Sequence, residues 1–388
     1  MSEQSLERFG GILAAPTRRD RRLAIAAAVL VLALAATPVV LVLTRPAPDL
    51  VATLKVPGGA SSAAFSPDRA TLAVLDAHGS THLWDVAASR WTGTLSSRSC
   101  AGGDTQVLFS PDATTLAVIG SADGRTCLWD VATRRQIAVM TEPSNQNVGV
   151  TGGAFSPDGK ILAIGDSNGS VYLWDVAAAR QIATLTDPGS QNDGSQVEAV
   201  AFSPDGTKLA AGDGNDNTYI WNLATRQVAA TLDDSAGNVF PGGGYEDSGG
   251  VESVAFGPDG TVAVGDGDGN VYLWNVATGL AVATLIPPIN ILEANPLYYS
   301  PGDVAGQIED GGGGPIGVTV ASGNDGSVLA TGVDYGYGVD LWAGPHHTAT
   351  LTDPGGDNTQ APQLALSPDG SMLAVVDHNG RTYLWRLG

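Results

Sequence analysis

Positive charge, cysteine and aromatic residues are all scarce in this chain of 388 residues. Lys and Arg number 19 against 40 Asp and Glu, which argues against nucleic acid as a partner because phosphate binding draws on clustered basic residues. Two cysteines are too few for a disulfide framework or for a four-ligand structural zinc site built on cysteine. Aromatic residues make up only 6% of the chain, yet eight of them are Trp, so the positions of the Trp residues carry information.

The formal charge of −21 is unevenly distributed along the chain. Residues 1–45 hold six Arg and three acids, whereas 46–388 hold 13 basic and 37 acidic residues, a net of −24. Residues 23–44 contain no charged residue, and 22 residues of helix span about 30 Å, the thickness of the hydrocarbon core of a bilayer. We therefore predict a transmembrane helix over 23–44, preceded by a basic cytoplasmic tail at 1–22 and followed by a short tether at 45–49.

Flanking charges give the orientation of this predicted helix. Four Arg residues within 18–22 closely precede the apolar run and only Arg45 follows it closely, so the positive-inside rule places 45–388 outside the cell membrane of a single-pass protein. A cleaved secretory signal peptide is the alternative, because Ala33-Leu34-Ala35 has the small residues of a cleavage site. An uncleaved signal-anchor is favoured because 39–43 continue the apolar run past that site.

Seven of the eight Trp residues recur through the rest of the chain, each closing a Leu-Trp or Ile-Trp pair, at spacings of 45, 45, 47, 53, 68 and 43. The clearest unit, 151–185, is typical of four short strands, the first ending at Phe155 and the others covering 161–164, 171–174 and 181–185. The recurring residues are Trp84, Trp129, Trp174, Trp221, Trp274, Trp342 and Trp385.

Two turn motifs separate the strands of each unit. A Ser-Pro-Asp-Gly phrase, such as the one ending at Gly159, favours a turn because Pro presets φ and Gly accepts positive φ. Asn168-Gly169 predicts a two-residue hairpin of the primed type. Four-stranded units of about 40–45 residues that end in Trp-Asp resemble the WD40 family of β-propellers, here of a membrane-anchored, bacterial type, and the resemblance covers nearly all of 50–388.

Strand counting predicts how such a propeller closes. Residues 51–54 match the fourth-strand motif but precede the first complete unit, while the last unit stops after Trp385 without a fourth strand. The two fragments complete one blade. The resemblance therefore implies an all-β fold over 50–388, a seven-bladed β-propeller of four-stranded blades with split-blade closure, which removes the free edge of an open array.

The chain departs from the family at one recurring position. Many family members carry a Gly-His pair ahead of the first strand, whose His bonds an Asp in the turn between the second and third strands. No such pair precedes these units, so the turn acids are expected to lack that His and to serve turn formation. These acids are Asp76, Asp123, Asp166, Asp213, Asp216, Asp266, Asp268 and Asp377.

The longest loops between blades, 233–250 and 286–315, mix aromatic and polar residues in a way that favours recognition of a partner. Their Gly content leaves mobile spacers as the alternative. The partner-binding candidates are Phe240, Tyr245, Asn290, Glu293, Tyr298, Tyr299 and Asp303.

A calcium site is a weak further candidate, because Asp266, Asp268 and Asn270 alternate with Gly as in some calcium loops. Val271 stands where an EF-hand needs Gly, and the closing Glu of such a loop is missing.

Cys100 and Cys127 both lie outside the membrane under the predicted topology, which permits a disulfide between them. A buried, reduced Cys127 is the alternative.

These features predict a non-catalytic, membrane-anchored scaffold, a monomeric propeller without cofactor or nucleic acid, that binds a neutral to cationic protein, peptide or envelope component on the extracytoplasmic side. One alternative is a propeller enzyme or cofactor protein with a site at the central funnel, although the convergent His, Glu and Asp that such a site needs do not cluster in the sequence. Another is an extracytoplasmic sensor coupled to a separate signalling partner.

Overall fold

A computed structural model provides the structure of the chain. It describes residues 47–96, 104–120, 124–141, 150–188, 196–233, 250–257, 259–267, 270–285, 318–322, 328–333, 338–352, 363–377 and 380–387. The predicted membrane helix at 23–44 lies outside these ranges. Within them, no helix has both the length and the apolar character needed to cross a membrane.

The described residues form seven antiparallel sheets of four strands each, which confirms the predicted seven-bladed propeller. Blade seven is β26–β28 together with β1, and blades one to six follow the chain from β2 to β25. The strands are β1 Asp49–Lys55, β2 Ala60–Phe65, β3 Thr71–Asp76, β4 Thr81–Asp85, β5 Arg90–Leu95, β6 Asp104–Phe109, β7 Thr115–Gly120, β8 Arg125–Asp130, β9 Arg135–Thr141, β10 Val150–Phe155, β11 Ile161–Asp166, β12 Ser170–Asp175, β13 Arg180–Thr186, β14 Val197–Phe202, β15 Lys208–Asp213, β16 Asn217–Asn222, β17 Gln227–Asp233, β18 Val251–Phe256, β19 Thr261–Asp266, β20 Val271–Asn275, β21 Leu280–Leu285, β22 Val318–Ser322, β23 Leu329–Val333, β24 Gly338–Ala343, β25 His346–Thr352, β26 Gln363–Leu366, β27 Met372–Val376 and β28 Arg381–Arg386.

The core of the propeller lies between its blades. Each second strand is an almost continuous apolar run, and β3 and β11 are buried from their second residue to their last because a neighbouring blade covers each face. Seven apolar clusters fill the seven contacts between consecutive blades, including the contact between blades seven and one. Every blade is therefore held on both sides.

Blade seven combines the two ends of the propeller, as the strand count predicts. β1 pairs antiparallel with β28, from Asp49 opposite Arg386 to Lys55 opposite Arg381. Ring closure also joins backbone to backbone, because the Ala60 N–H donates to the Gly380 carbonyl at 3.0 Å. A Cβ at Gly380 would lie 2.4 Å from the Gly59 Cα, so this contact requires glycine.

The connections between strands define two faces and a rim. The turn face carries the turns between first and second strands and between third and fourth strands. The loop face carries the turns between second and third strands and the connections between blades. The rim consists of the seven fourth strands, β1, β5, β9, β13, β17, β21 and β25. β1 begins at Asp49 on the turn face and runs toward the loop face.

One local prediction is wrong. Gly169 has a φ of 73°, but Asn168 is not among the residues with positive φ, as a primed two-residue turn would require. The Gly169 N–H instead donates to the Asp166 carbonyl at 3.3 Å, so a turn is followed by one left-handed residue, the pattern of a three-residue hairpin loop. The Asp166 carboxylate accounts for the difference, because its Oδ1 accepts the N–H groups of Asn168 and Ser170 and organises the longer loop.

Candidate functional site

Buried aspartates organise the loop face. In blade one, Asp76 Oδ1 accepts the N–H of His78 at 2.9 Å and that of Ser80 at 2.8 Å. Asp213 repeats the arrangement in blade four with Asn215 and Asn217. Because the acid ends the second strand, its carboxylate reaches over the turn that follows, which is the turn-forming role predicted for these residues. The buried members are Asp76, Asp166, Asp213, Asp266 and Asp377.

In blades one and six, a His side chain pairs with an Asp in an arrangement that the sequence does not suggest. The position ahead of blade one holds the buried Val56, yet Asp76 Oδ2 lies 2.9 Å from Nε2 of His82, which stands in the third strand β4. Asp76 therefore lacks the entry His, as predicted, but is paired with a His of the third strand. In blade six, His347 Nε2 lies 2.9 Å from Asp340 Oδ1 across β25 and β24.

The repeat Trp residues occupy matching places in the third strands, but their indole N–H groups are satisfied unequally. Trp342 Nε1 donates to Thr331 Oγ1 at 2.9 Å. The matching second-strand position is apolar in blades one, three and five, occupied by Val74, Ile164 and Val264. In those blades the buried indole nitrogens have no hydrogen-bond partner among the described residues; they belong to Trp84, Trp174 and Trp274.

Blades three and four meet at a pair of buried carboxyl groups. Asp187 follows the fourth strand of blade three, Asp213 ends the second strand of blade four, and both border a cavity of about 10 Å³, room for about one water molecule. Burial raises the pKa of Asp213 to about 6; the Asn217 and Asn215 N–H groups oppose this rise, and the Asp187 carboxyl adds to it. The sequence pattern identifies Asp213 as a turn acid but does not predict its contact with Asp187. The signal was that Asp187 stands ahead of a blade, where the family carries the His that meets a turn Asp.

The first strands of the blades carry further acids near the axis of the ring. First strands of consecutive blades contact one another, so they surround the axis of the ring. Glu198 and Glu252 occupy matching positions near the loop-face ends of β14 and β18. Burial raises the pKa of Glu198, while a hydrogen bond from Gln196 opposes the rise.

Charge is segregated between the two faces. On the described part of the loop face, acids far outnumber bases, whereas on the turn face they are nearly balanced. The loop-face acids are Asp76, Asp166, Asp187, Glu198, Asp213, Asp216, Asp233, Glu252, Asp266 and Asp377, against Lys55, Arg125 and Arg381. The turn-face bases are Arg69, Arg90, Arg134, Arg135, Lys160, Arg180, Lys208, Arg226 and Arg386, against Asp49, Asp68, Asp85, Asp112, Asp130, Asp158, Asp175, Asp205, Asp259 and Asp369.

The partner-binding candidates predicted from the sequence all lie in two connections outside the described residues. One connection joins β17 to β18 and the other joins β21 to β22, and all four of these strand ends are on the loop face. The candidates there stay predictions. They are Phe240, Tyr245, Asn290, Glu293, Tyr298, Tyr299 and Asp303.

The calcium candidates are only partly described. Asp266 Oδ1 accepts the N–H of Asn270 at 2.8 Å, so this carboxylate helps to form a turn, while Asp268 lies outside the described residues. Across the described ranges, no group of three or more His, Cys, Asp or Glu residues is arranged to hold a metal ion.

Cys127 is fully buried in β8 and is disulfide-bonded. Cys100, the other cysteine of the chain, lies outside the described residues, so the pairing of these two residues stays a prediction.

Two protein-family models match parts of the chain. A β-propeller model described as the N-terminal domain of nucleolar protein 10-like proteins matches residues 47–236, which contain β1 and the first four blades. A model described as WD domain, G-beta repeat, matches 239–275, which contain the first three strands of blade five. The comparison with curated proteins finds no match. The seven four-stranded blades and these two matches together support a WD40 propeller family for this chain.

Proposed function

We propose that this protein is a membrane-tethered scaffold whose propeller binds a neutral to cationic protein or peptide through its loop face on the extracytoplasmic side. WD40 propellers commonly bind proteins and are typically non-enzymatic, so the family supports the scaffold role. The fold alone does not identify a partner, because propellers of one architecture have many roles. The choice of partner chemistry therefore depends on the surface of this particular chain.

The segregation of charge between the faces carries the proposal. Described acids outnumber bases on the loop face, the face on which the two long connections begin and end, while the turn face is nearly neutral. Acids concentrated on one face create a negative potential there, which attracts cationic groups and raises association rates. An anionic partner would meet repulsion at the same face.

The membrane tether rests on the sequence. The uncharged run at 23–44 has the length of a bilayer-spanning helix, and the Arg residues before it favour a cytoplasmic N-terminus. Residues 45–48 then lead to β1, which begins at Asp49. N-terminal sequencing of the protein purified from membranes distinguishes the uncleaved anchor from the cleaved signal peptide, which would give a chain starting after Ala35.

Deletion of 290–310 tests the binding role. The full chain is expressed in its native cell, crosslinked, and its covalent partners are identified by mass spectrometry at low and high ionic strength. We expect the deletion to abolish crosslinking to neutral or basic proteins while the thermal unfolding temperature changes little, because the deleted residues lie between two complete blades. Raised salt should weaken capture by the intact chain. The same partners on the deleted chain would overturn the proposal.

A further inference from the structure

Exposed apolar side chains on the described surface are confined to the rim. All seven large apolar residues with high exposure lie in fourth strands. Two of them, Leu280 and Val282, belong to blade five. The other five define the rim patch, which spans three consecutive blades, seven, one and two. The rim patch is Leu50 and Val51 of β1, Trp91 of β5, and Ile137 and Val139 of β9.

Each rim strand has an irregularity that disfavours pairing with a strand of another chain. In each of them the pairing register slips by one residue opposite the repeat Trp, so one residue bulges from the ladder. Bulges of this kind bend an edge strand and protect it from strand addition. Val51 and Ile137 are two of the bulged residues. A partner at the rim patch is therefore recognised by side chains rather than by backbone pairing.

Basic residues outnumber acids within the three strands of the rim patch, in a protein that is otherwise strongly acidic. Arg90 and Arg135 begin β5 and β9 at their turn-face ends, and Lys55 ends β1. Arg134 also lies against β5. Its guanidinium is close enough to Gly93 that a Cβ placed there would be only 2.5 Å away. The single acid within these three strands is Asp49.

Trp91, the one Trp outside the repeat series, is held rigidly in the patch. Its ring meets the Trp84 ring edge to face at a centroid distance of 4.9 Å and the His82 ring at 5.8 Å. It nevertheless keeps 37% of its surface exposed. A fixed, half-exposed indole beside aliphatic and Arg side chains suits the boundary between lipid headgroups and acyl chains.

The position of the tether indicates the occupant of the patch. β1 starts at Asp49 on the turn face and is itself part of the patch. Under the proposed anchor, the membrane helix ends at Thr44, and five residues reach at most about 18 Å when fully extended. We propose that the rim patch rests on the surface of the membrane and contacts anionic lipid headgroups through its Arg residues. This inference depends on the proposed anchor. A tether this short keeps lipid at high local concentration near β1, which favours lipid over a soluble acidic protein.

A matched pair of labelling sites tests the contact. Ile137 and Val282 both occupy the bulge of a rim strand and are 55% and 57% exposed, but Val282 belongs to blade five, on the other side of the ring. The full chain carrying Ile137→Cys or Val282→Cys, with its native disulfide kept oxidised, is labelled with a fluorophore. It is then reconstituted into vesicles of phosphatidylcholine, with or without phosphatidylglycerol, that contain a headgroup-linked nitroxide quencher.

We expect quenching at position 137 to be several-fold stronger than at position 282, and stronger still with phosphatidylglycerol. Arg135→Glu should reduce quenching at position 137, whereas Arg180→Glu, at the matching position of blade three, should leave it unchanged. One outcome is equal quenching at both sites in a chain that floats with the vesicles and resists carbonate extraction. That result overturns the membrane contact of the rim patch but agrees with the proposed anchor. A chain that is extracted by carbonate overturns the anchor and the contact together.

Discussion

Asp187 and Asp213 border one small cavity between the third and fourth blades, and burial together with the Asp187 carboxyl raises the pKa of Asp213. Asp213 also holds its own turn through Oδ1, so the residue cannot move away from Asp187 without releasing the N–H groups of Asn215 and Asn217. Burial, and to a lesser degree the neighbouring Asp187 carboxyl, disfavours the ionised form of Asp213 in the folded propeller. Folding stability therefore depends on pH.

Folding stability should fall as pH rises from about 4 to about 6. The pKa of Asp213 is about 6 in the folded protein, against an ordinary value of 3.8, so between these values the folded state holds a proton that the unfolded state has lost. Asp213→Asn can still accept both turn hydrogen bonds but has no charge, so it should flatten the fall. Thermal unfolding of the full chain across this range measures the effect.

Asp205→Asn is the control for this pH experiment. The Ser203 hydroxyl and neighbouring N–H groups lower the pKa of Asp205 to about 2, so this group stays ionised throughout the range and its replacement should leave the slope unchanged. A wild-type unfolding temperature that is flat between pH 4 and 6, or an unchanged slope in Asp213→Asn, would contradict the role assigned to Asp213.

The unequal satisfaction of the indole N–H groups leads to a second prediction. Thr331→Val removes the acceptor of Trp342 and should cost about 1–3 kcal/mol, because a buried donor is left unpaired. Val264→Thr, at the matching position of blade five, offers Trp274 an acceptor of nearly the same shape and should be neutral or stabilising. Chemical denaturation of both variants measures the difference. A Val264→Thr variant as unstable as Thr331→Val would show that the indole does not use the new hydroxyl.

Replacing Ala113 with glycine should stabilise the folded protein. It has a φ of 60° in the turn between β6 and β7, where Gly159, Gly206 and Gly370 stand in other blades with φ of 66–70°. A left-handed conformation costs a non-glycine residue about 1–2 kcal/mol, partly offset by the greater flexibility that glycine gives the unfolded chain. Ala113→Gly should therefore raise the unfolding temperature slightly. Ala88→Gly, in an exposed turn at a residue without positive φ, should lower it, and the opposite order would refute the strain assigned to Ala113.

Reduction should reveal a disulfide in the intact protein. A Cys100–Cys127 bond predicts a mass increase of about 2 Da on reduction and, on the chain-entropy model for a loop of this size, a loss of about 3.5 kcal/mol of stability. Intact-mass spectrometry before and after reduction, with alkylation of new thiols, is the measurement. Two thiols that alkylate without reductant would exclude the bond.

The sequence predicts the architecture well because the same strands, turns and Trp positions recur in each unit. Trp385 near the C-terminus and the orphan strand motif at 51–54 were enough to predict the split blade, since a closed ring has no other place for them. Contacts between distant residues were harder to predict. His82 reaches Asp76 from a third strand, and Asp187 meets Asp213 across two blades, because packing angles rather than local patterns bring these side chains together. The primed turn at Asn168-Gly169 failed because the Asp166 carboxylate favours a longer loop.

Photo-crosslinking in the native cell tests the central proposal, recognition at the acidic loop face, most directly. A photoreactive residue replaces Tyr298, in the connection between two loop-face strand ends, and in a second variant Lys160 on the turn face. We expect position 298 to crosslink to a neutral or basic protein or peptide outside the membrane, in a salt-sensitive manner, and position 160 not to. Crosslinks of that partner from position 160 alone, or an acidic partner at position 298, would contradict the proposal.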